Sequence, residues 1–147
     1  MNSMGDFSKE SNILKRYARR GQCFSTSREI MQLDSTYIRF DHPDIERNGH
    51  VFTDGCGTIS QSLAKIVSEK FGLPRNTSAF QIRIGGAKGV LMVKPDSEMT
   101  VCEIEDFEIV LRTVGVKLRK SQVKFPSTDL SFNVVRGATF SQGFLNR

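Results

Sequence analysis

The chain lacks the marks of a disulfide scaffold, a zinc module and a membrane protein. It has three cysteines, Cys23, Cys56 and Cys102, an odd number with no CxxC pair, so no disulfide framework organises it. His42 and His50 sit at no zinc-ligand spacing, which leaves no expected metal ligands in the chain. No apolar run reaches the ~18 residues a membrane span needs. The start of the chain, Met1 to Asp6, has no basic region followed by an apolar stretch, as a secretory leader would. An intracellular protein in a reducing compartment, nuclear or cytoplasmic and without a membrane partner, is expected. Internal repeats and low-complexity tracts are missing as well.

What is present fits one globular domain over residues 1–147, with 38% hydrophobic and 25% charged residues. Lysine and arginine number 21 against 16 aspartates and glutamates, a formal charge of +5. That excess favours acidic partners such as nucleic acid, although an ordinary basic surface would carry it too.

Periodicity predicts a helix over residues 8–20, with Leu14, Tyr17 and Ala18 on one side and Lys15, Arg16, Arg19 and Arg20 around the other. A second helix is predicted over residues 60–71, with Leu63, Ile66 and Val67 facing the core and Gly72 and Pro74 ending it. A short strand is predicted over residues 37–40, followed by turns at residues 41–44 and at Asn48-Gly49 and a glycine loop at residues 53–57. Phe80, Ile82 and Ile84 alternate with Gln81 and Arg83 as in a half-buried strand. Residues 90–93 are apolar throughout, as in a strand covered on both faces. Further strands are predicted over residues 107–111, 114–118 and 130–135. Several short strands with two helices give a mainly β fold with helical insertions, of the α+β or barrel type.

Three places attract chemistry. Gly85-Gly86-Ala87-Lys88-Gly89 joins two strands. It is either a hairpin turn with a surface lysine or a glycine cradle with a cation for a phosphate. It lacks the GxxxxGK[ST] spacing of a Walker loop. Residues 118–125, LRKSQVKF, concentrate Arg119, Lys120 and Lys124. Strand alternation would set Arg119, Ser121 and Val123 on one face and Lys120, Gln122 and Lys124 on the other. Such a stripe holds a phosphate backbone or guards an exposed sheet edge, and both readings stand. Asp54, the lone acid of its glycine loop, suits turn capping, because a two-metal centre needs several oxygen ligands. No Ser/His/Asp or Cys/His set can be picked out.

Five segments, in order, resemble the cellular RNA-dependent RNA polymerase family of RNA silencing. Residues 18–25 (ARRGQCFS) are similar to its ARxGQCFS stretch and residues 52–60 (FTDGCGTIS) to its FTDGxGxIS signature. Residues 79–83 and 85–89 (AFQIR, GGAKG) resemble its AFQIRxGGAKG block. Residues 118–125 are similar to its LRPSQxKF block, and residues 144–147 (FLNR) to the start of its LNRQ segment. The resemblance implies a fragment of a polymerase catalytic region, the first of two double-psi β-barrels. It implies catalytic roles for Lys88 and Lys124, with Arg83, Arg119 and Gln122 lining the same RNA- and nucleotide-binding surface. RNA template, nucleoside triphosphates and the remainder of the polymerase core are the implied partners. The family's Mg2+ is held by a downstream DxDGD motif, expected outside this chain, so the chain by itself is expected not to polymerise. The family's proline between arginine and serine is Lys120 here. A non-catalytic RNA-binding module or a decayed polymerase paralogue is the alternative.

Overall fold

The computed structural model describes residues 27–139. The expected helix over residues 8–20, the motifs at residues 18–25 and 144–147 and Cys23 lie outside the described residues. The chain runs through β1 (Arg28–Gln32), β2 (Ile38–His42), β3 (Glu46–Arg47), β4 (His50–Val51) and β5 (Cys56–Ser60) into the helix α1 (Gln61–Phe71). Then come β6 (Thr77–Ile84), β7 (Ala87–Lys94), β8 (Thr100–Glu105), β9 (Glu108–Thr113), β10 (Val116–Arg119) and β11 (Ser131–Thr139).

Seven strands form one mixed sheet in the order β1-β11-β6-β7-β5-β10-β2. The β5–β7 and β10–β2 pairs are parallel and the other pairs antiparallel. The sheet curls until its β2 side meets the β6–β7 turn. The ring of Phe40, on β2, lies against Gly85, Val123 bridges Ala87, and the Lys124 amide donates to the Gly86 carbonyl at 3.0 Å. The expected mainly β fold is what forms, as a curled half-barrel. Among the described residues it carries one α-helix.

Local chemistry explains the elements that set up the site. Phe80, Ile82 and Ile84 alternate inward along β6 and meet Phe132 and Val134 of β11 in a single apolar cluster. Gly85 and Gly86 then take φ of 52° and 76°, which is the left-handed pair that a two-residue hairpin with the natural strand twist requires. α1 begins where the Ser60 hydroxyl accepts from the Leu63 amide at 3.2 Å and ends at Gly72 with φ 81°.

Several expectations are corrected. Leu63 and Val67 are buried as expected, but Ile66 points outward and Ala64 and Ser68 complete the buried stripe, which is centred less than a quarter turn from the one expected. Residues 90–93 are not covered on both faces: Leu91 is fully buried but Val90 is 37% exposed. β2 runs through Asp41 and His42, and residues 43–45 after it form an irregular connection rather than the turn expected over 41–44. The glycine loop is shorter than expected, since Cys56 and Gly57 already belong to β5. Phe107 sits in a turn at φ 66° ahead of β9. The strands β1, β3, β4, β5 and β8 had no counterpart in the sequence reading. β1, Arg-Glu-Ile-Met-Gln, has a single β-branched residue and is ordered by pairing with β11.

The β8–β9 hairpin has inverted polarity. Cys102 opposite Leu111 and Ile104 opposite Ile109 share one face, and Ile104, Ile109 and Leu111 on it are exposed. The opposite face carries Glu103 and Arg112, and Glu103 pairs with Arg39 of β2 and with Arg112 at 3.3 Å. The hairpin is thus tied to the body by charges rather than by its apolar side.

Candidate functional site

The β6–β7 hairpin and the segment after β10 form one cationic groove. Arg83 and Lys88 are cross-strand partners either side of the glycine turn, so their side chains leave the sheet on the same face. Lys124 arrives from the third element, held by its amide on Gly86 and by its ammonium, which donates to the Ser121 carbonyl. All three line a concavity of about 190 Å³ with Asp129 and Asn133. Burial lowers the Lys88 pKa below the ordinary lysine value, and the charges of Arg83 and Lys124 push the same way. The carboxylate lining the groove, Asp129, is committed to its own turn, accepting from the Ser131 amide at 2.9 Å and from the Ser131 hydroxyl. The groove thus gathers three cations that repel one another, an arrangement relieved by an anion.

Glycine at Gly86 lets the wall close, because a Cβ there would sit 2.0 Å from the Phe125 carbonyl oxygen. The approach of Phe125 to the turn therefore needs the missing side chain as well as the left-handed φ.

The stripe expected over residues 118–125 does not form. β10 stops at Arg119, and residues 120–122 turn as a short 3-10 helix. That turn brings Arg119 and Gln122 inward. Gln122 is fully buried. Its Oε1 accepts from the Arg119 amide at 3.0 Å, and its Nε2 donates to the Val90 carbonyl at 3.3 Å. Arg119 Nε donates to the Cys56 carbonyl at 2.7 Å, and its guanidinium also donates to the Pro43 carbonyl. These two side chains bind backbone, so they frame the groove instead of lining it. Lys88, Lys124 and Arg83 are the expected site residues that the fold brings together.

Asp44, not singled out in the sequence, ties the frame to the glycine loop. Its carboxylate accepts from the Ser121 amide at 3.1 Å, the Ser121 hydroxyl at 2.7 Å and the Thr53 hydroxyl at 3.0 Å. The Gly55 amide donates to the Ser121 hydroxyl at 3.2 Å. Desolvation pulls the Asp44 pKa up, but the bonds from Ser121 and Thr53 together with the Arg119 charge outweigh it and hold the carboxyl below the usual range. Asp54 is exposed, and the turn is closed by the Cys56 amide on the Thr53 carbonyl at 2.9 Å. The signal that would find Asp44 is its pairing with a residue 77 positions away, which a single sequence does not carry.

Among the described residues, no group of three or more His, Cys, Asp or Glu side chains is placed to hold a metal ion. The groove itself does not suit a divalent cation, since its lining carboxylate is already bonded and three positive charges face it. Among the described residues, no helix is long and apolar enough to cross a membrane.

Comparison with known proteins gives one result at three levels. A family model described as RNA dependent RNA polymerase matches residues 1–147. The chain is 40% identical to "Probable RNA-dependent RNA polymerase 1" of Oryza sativa subsp. japonica over 147 residues, covering 98% of this chain and 18% of that protein. It is 39% identical to "RNA-dependent RNA polymerase 1" of Schizosaccharomyces pombe, covering 97% of this chain and 11% of that one. The chain therefore spans less than a fifth of the length of these relatives. Among solved structures it resembles the RNA dependent RNA polymerase QDE-1 from Thielavia terrestris with a TM-score of 0.65 at 23% identity, over 86% of this chain and 13% of that one.

Proposed function

Since the chain belongs to the RNA-dependent RNA polymerase family, we propose that its cationic groove is the phosphate-holding wall of an RNA-synthesising centre. The observation that carries this is the convergence of Lys88 and Lys124, from separate sequence blocks, on one concavity with Arg83. Copying RNA joins a 3′-hydroxyl oxygen to the α-phosphorus of a nucleoside triphosphate and releases pyrophosphate. The protein's part in such a transfer is mainly positioning and charge stabilisation. In this reading Lys88 and Lys124 neutralise phosphate oxygens of the triphosphate or the RNA strand, and Arg83 steadies the same groups. Arg119 and Gln122 keep the two lysine-bearing segments in register. The curled sheet is read as the first double-psi barrel of a catalytic region whose remaining length the relatives possess. Any Mg2+ is assigned to carboxylates outside the described residues, because the groove offers no cage for it. RNA template and nucleoside triphosphates are the substrates, and RNA-mediated silencing is the setting.

The test is salt-dependent binding of single-stranded RNA to the chain. Each phosphate contact on a single strand contributes about −0.7 to the slope of log affinity against log salt. Lys88→Ala with Lys124→Ala should flatten that slope by about 1.4 and weaken binding at low salt. Unchanged affinity and slope in the double variant would refute the groove. Introduced into a full-length polymerase carrying this segment, the same pair should abolish template-directed synthesis. Synthesis that survives there while RNA binding falls would favour a binding module over a catalytic wall.

A further inference from the structure

We infer that the groove continues over the Phe125 ridge into an apolar cleft that takes one base of a single-stranded RNA, with Lys120 holding the phosphate beyond it. This rests on the groove reading above and deepens it.

The cationic concavity and a second, apolar one share Gly85, Phe125 and Ser127. The second is lined by Phe40, Val123, Phe125 and Pro126, with Lys120 at its edge. Lys120 is exposed because the 3-10 turn after β10 sends it outward while it takes Gln122 in. Phe40 lies on β2, two residues past the buried Ile38, yet its ring is 37% exposed. Its ring lies close over the turn: a Cβ at Gly85 would stand 3.2 Å from its Cζ. The glycine turn thus forms a low floor between an aromatic wall and the Phe125 ridge.

A base joined through its sugar to a phosphate matches an apolar, aromatic-lined slot beside a cationic groove. Single-strand sites combine those two elements, stacking the base on an aromatic side chain while cations track the backbone. Bases paired in an A-form duplex do not reach such a slot, so the occupant is single-stranded. Charge complementarity supports RNA over an apolar peptide, because Lys88, Lys124 and Arg83 line the adjoining groove and Lys120 lines the slot itself.

The experiment uses the full chain and two fluorescein-labelled probes of equal length, oligouridine and an abasic ribose-phosphate oligomer, in anisotropy titrations at several salt concentrations. The native chain should prefer oligouridine by about 5-fold or more, the lower end of base–aromatic stacking. Phe40→Leu should remove that preference and leave the salt slope unchanged, while Phe40→Tyr keeps it. Lys120→Gln should flatten the slope by about 0.7 and keep the preference. Equal binding of the two probes by the native chain, or a preference that survives in Phe40→Leu, overturns the base cleft. Should Phe40→Leu melt early, the native and Phe40→Tyr titrations decide alone. If Lys88→Ala with Lys124→Ala abolishes binding while the native chain shows no base preference, only the cleft fails. If that pair leaves binding intact, the groove fails with it. Displacement of labelled oligouridine by an acidic aromatic peptide at far lower concentration than unlabelled oligouridine requires would assign the cleft to protein and overturn the proposal.

Discussion

Truncating Gln122 should destabilise the frame that holds the groove, and the size of the loss can be worked from its contacts. The side chain is fully buried and makes two bonds to backbone, a firm one from the Arg119 amide at 3.0 Å and a longer one to the Val90 carbonyl at 3.3 Å. Gln122→Ala removes both bonds, leaving the Arg119 amide buried and the Val90 carbonyl half-buried without this partner, at about 1–3 kcal/mol for a buried group and the low end of that for the other. It also opens a space that Gly57 and Gly89 cannot fill, since both already abut the amide. A total of about 3–5 kcal/mol follows if the longer bond counts at the low end. Gln122→Met refills the volume without restoring the bonds and should recover only about 1 kcal/mol of that. Urea unfolding followed by circular dichroism gives both numbers. RNA affinity, measured well below the midpoint, should be native in Gln122→Met if the residue is a strut. A Gln122→Met protein as stable as the native chain, or one that is stable but fails to bind RNA, would refute this account.

Lys88, with its pKa lowered by burial and by Arg83 and Lys124, should be acylated faster than the exposed lysines near pH 9. Mass spectrometry should show Lys124→Ala slowing that reaction and bound RNA suppressing it. The folded-state pKa of Asp44 is depressed, so its contribution to stability is present above the ordinary aspartate value and lost as pH falls through and below about 4. The drop in melting temperature between pH 5 and pH 3 should therefore be smaller in Asp44→Asn than in the native chain. On α1, Val67→Ala should cost about 1–3 kcal/mol because Val67 is fully buried. Ile66→Gln, on the exposed side, should stay within about 0.5 kcal/mol, and equal losses at the two positions would mean the helix is rotated from the orientation described.

Elements whose cause is local could be read from the sequence. The alternation of Phe80, Ile82 and Ile84, the Gly85-Gly86 turn and the Gly72 stop each follow from a few adjacent residues, whereas Ser60, read as the first helical residue, is the cap before it. The gathering of Lys88 and Lys124 came through resemblance rather than periodicity, because nothing within either block states where the other lies. What stayed hidden depends on distant partners. A cation-rich stretch of eight residues reads as an exposed strand, yet Arg119 and Gln122 turn in because carbonyls of Pro43, Cys56 and Val90 await them. β8 was missed because its two branched apolar residues, Val101 and Ile104, fall on opposite faces of the strand, so no alternation marks it.

The knot of Asp44, Gly55 and Ser121 bears on how such chains change over generations. A carboxylate, a bare backbone amide and a hydroxyl from three separate stretches share one set of bonds, so drift at any one of them is visible to the other two. Descendants that alter Ser121 should carry a matching change at Asp44, and a pair that moves together across many genomes would mark this knot in sequences too diverged for their short motifs to be recognised.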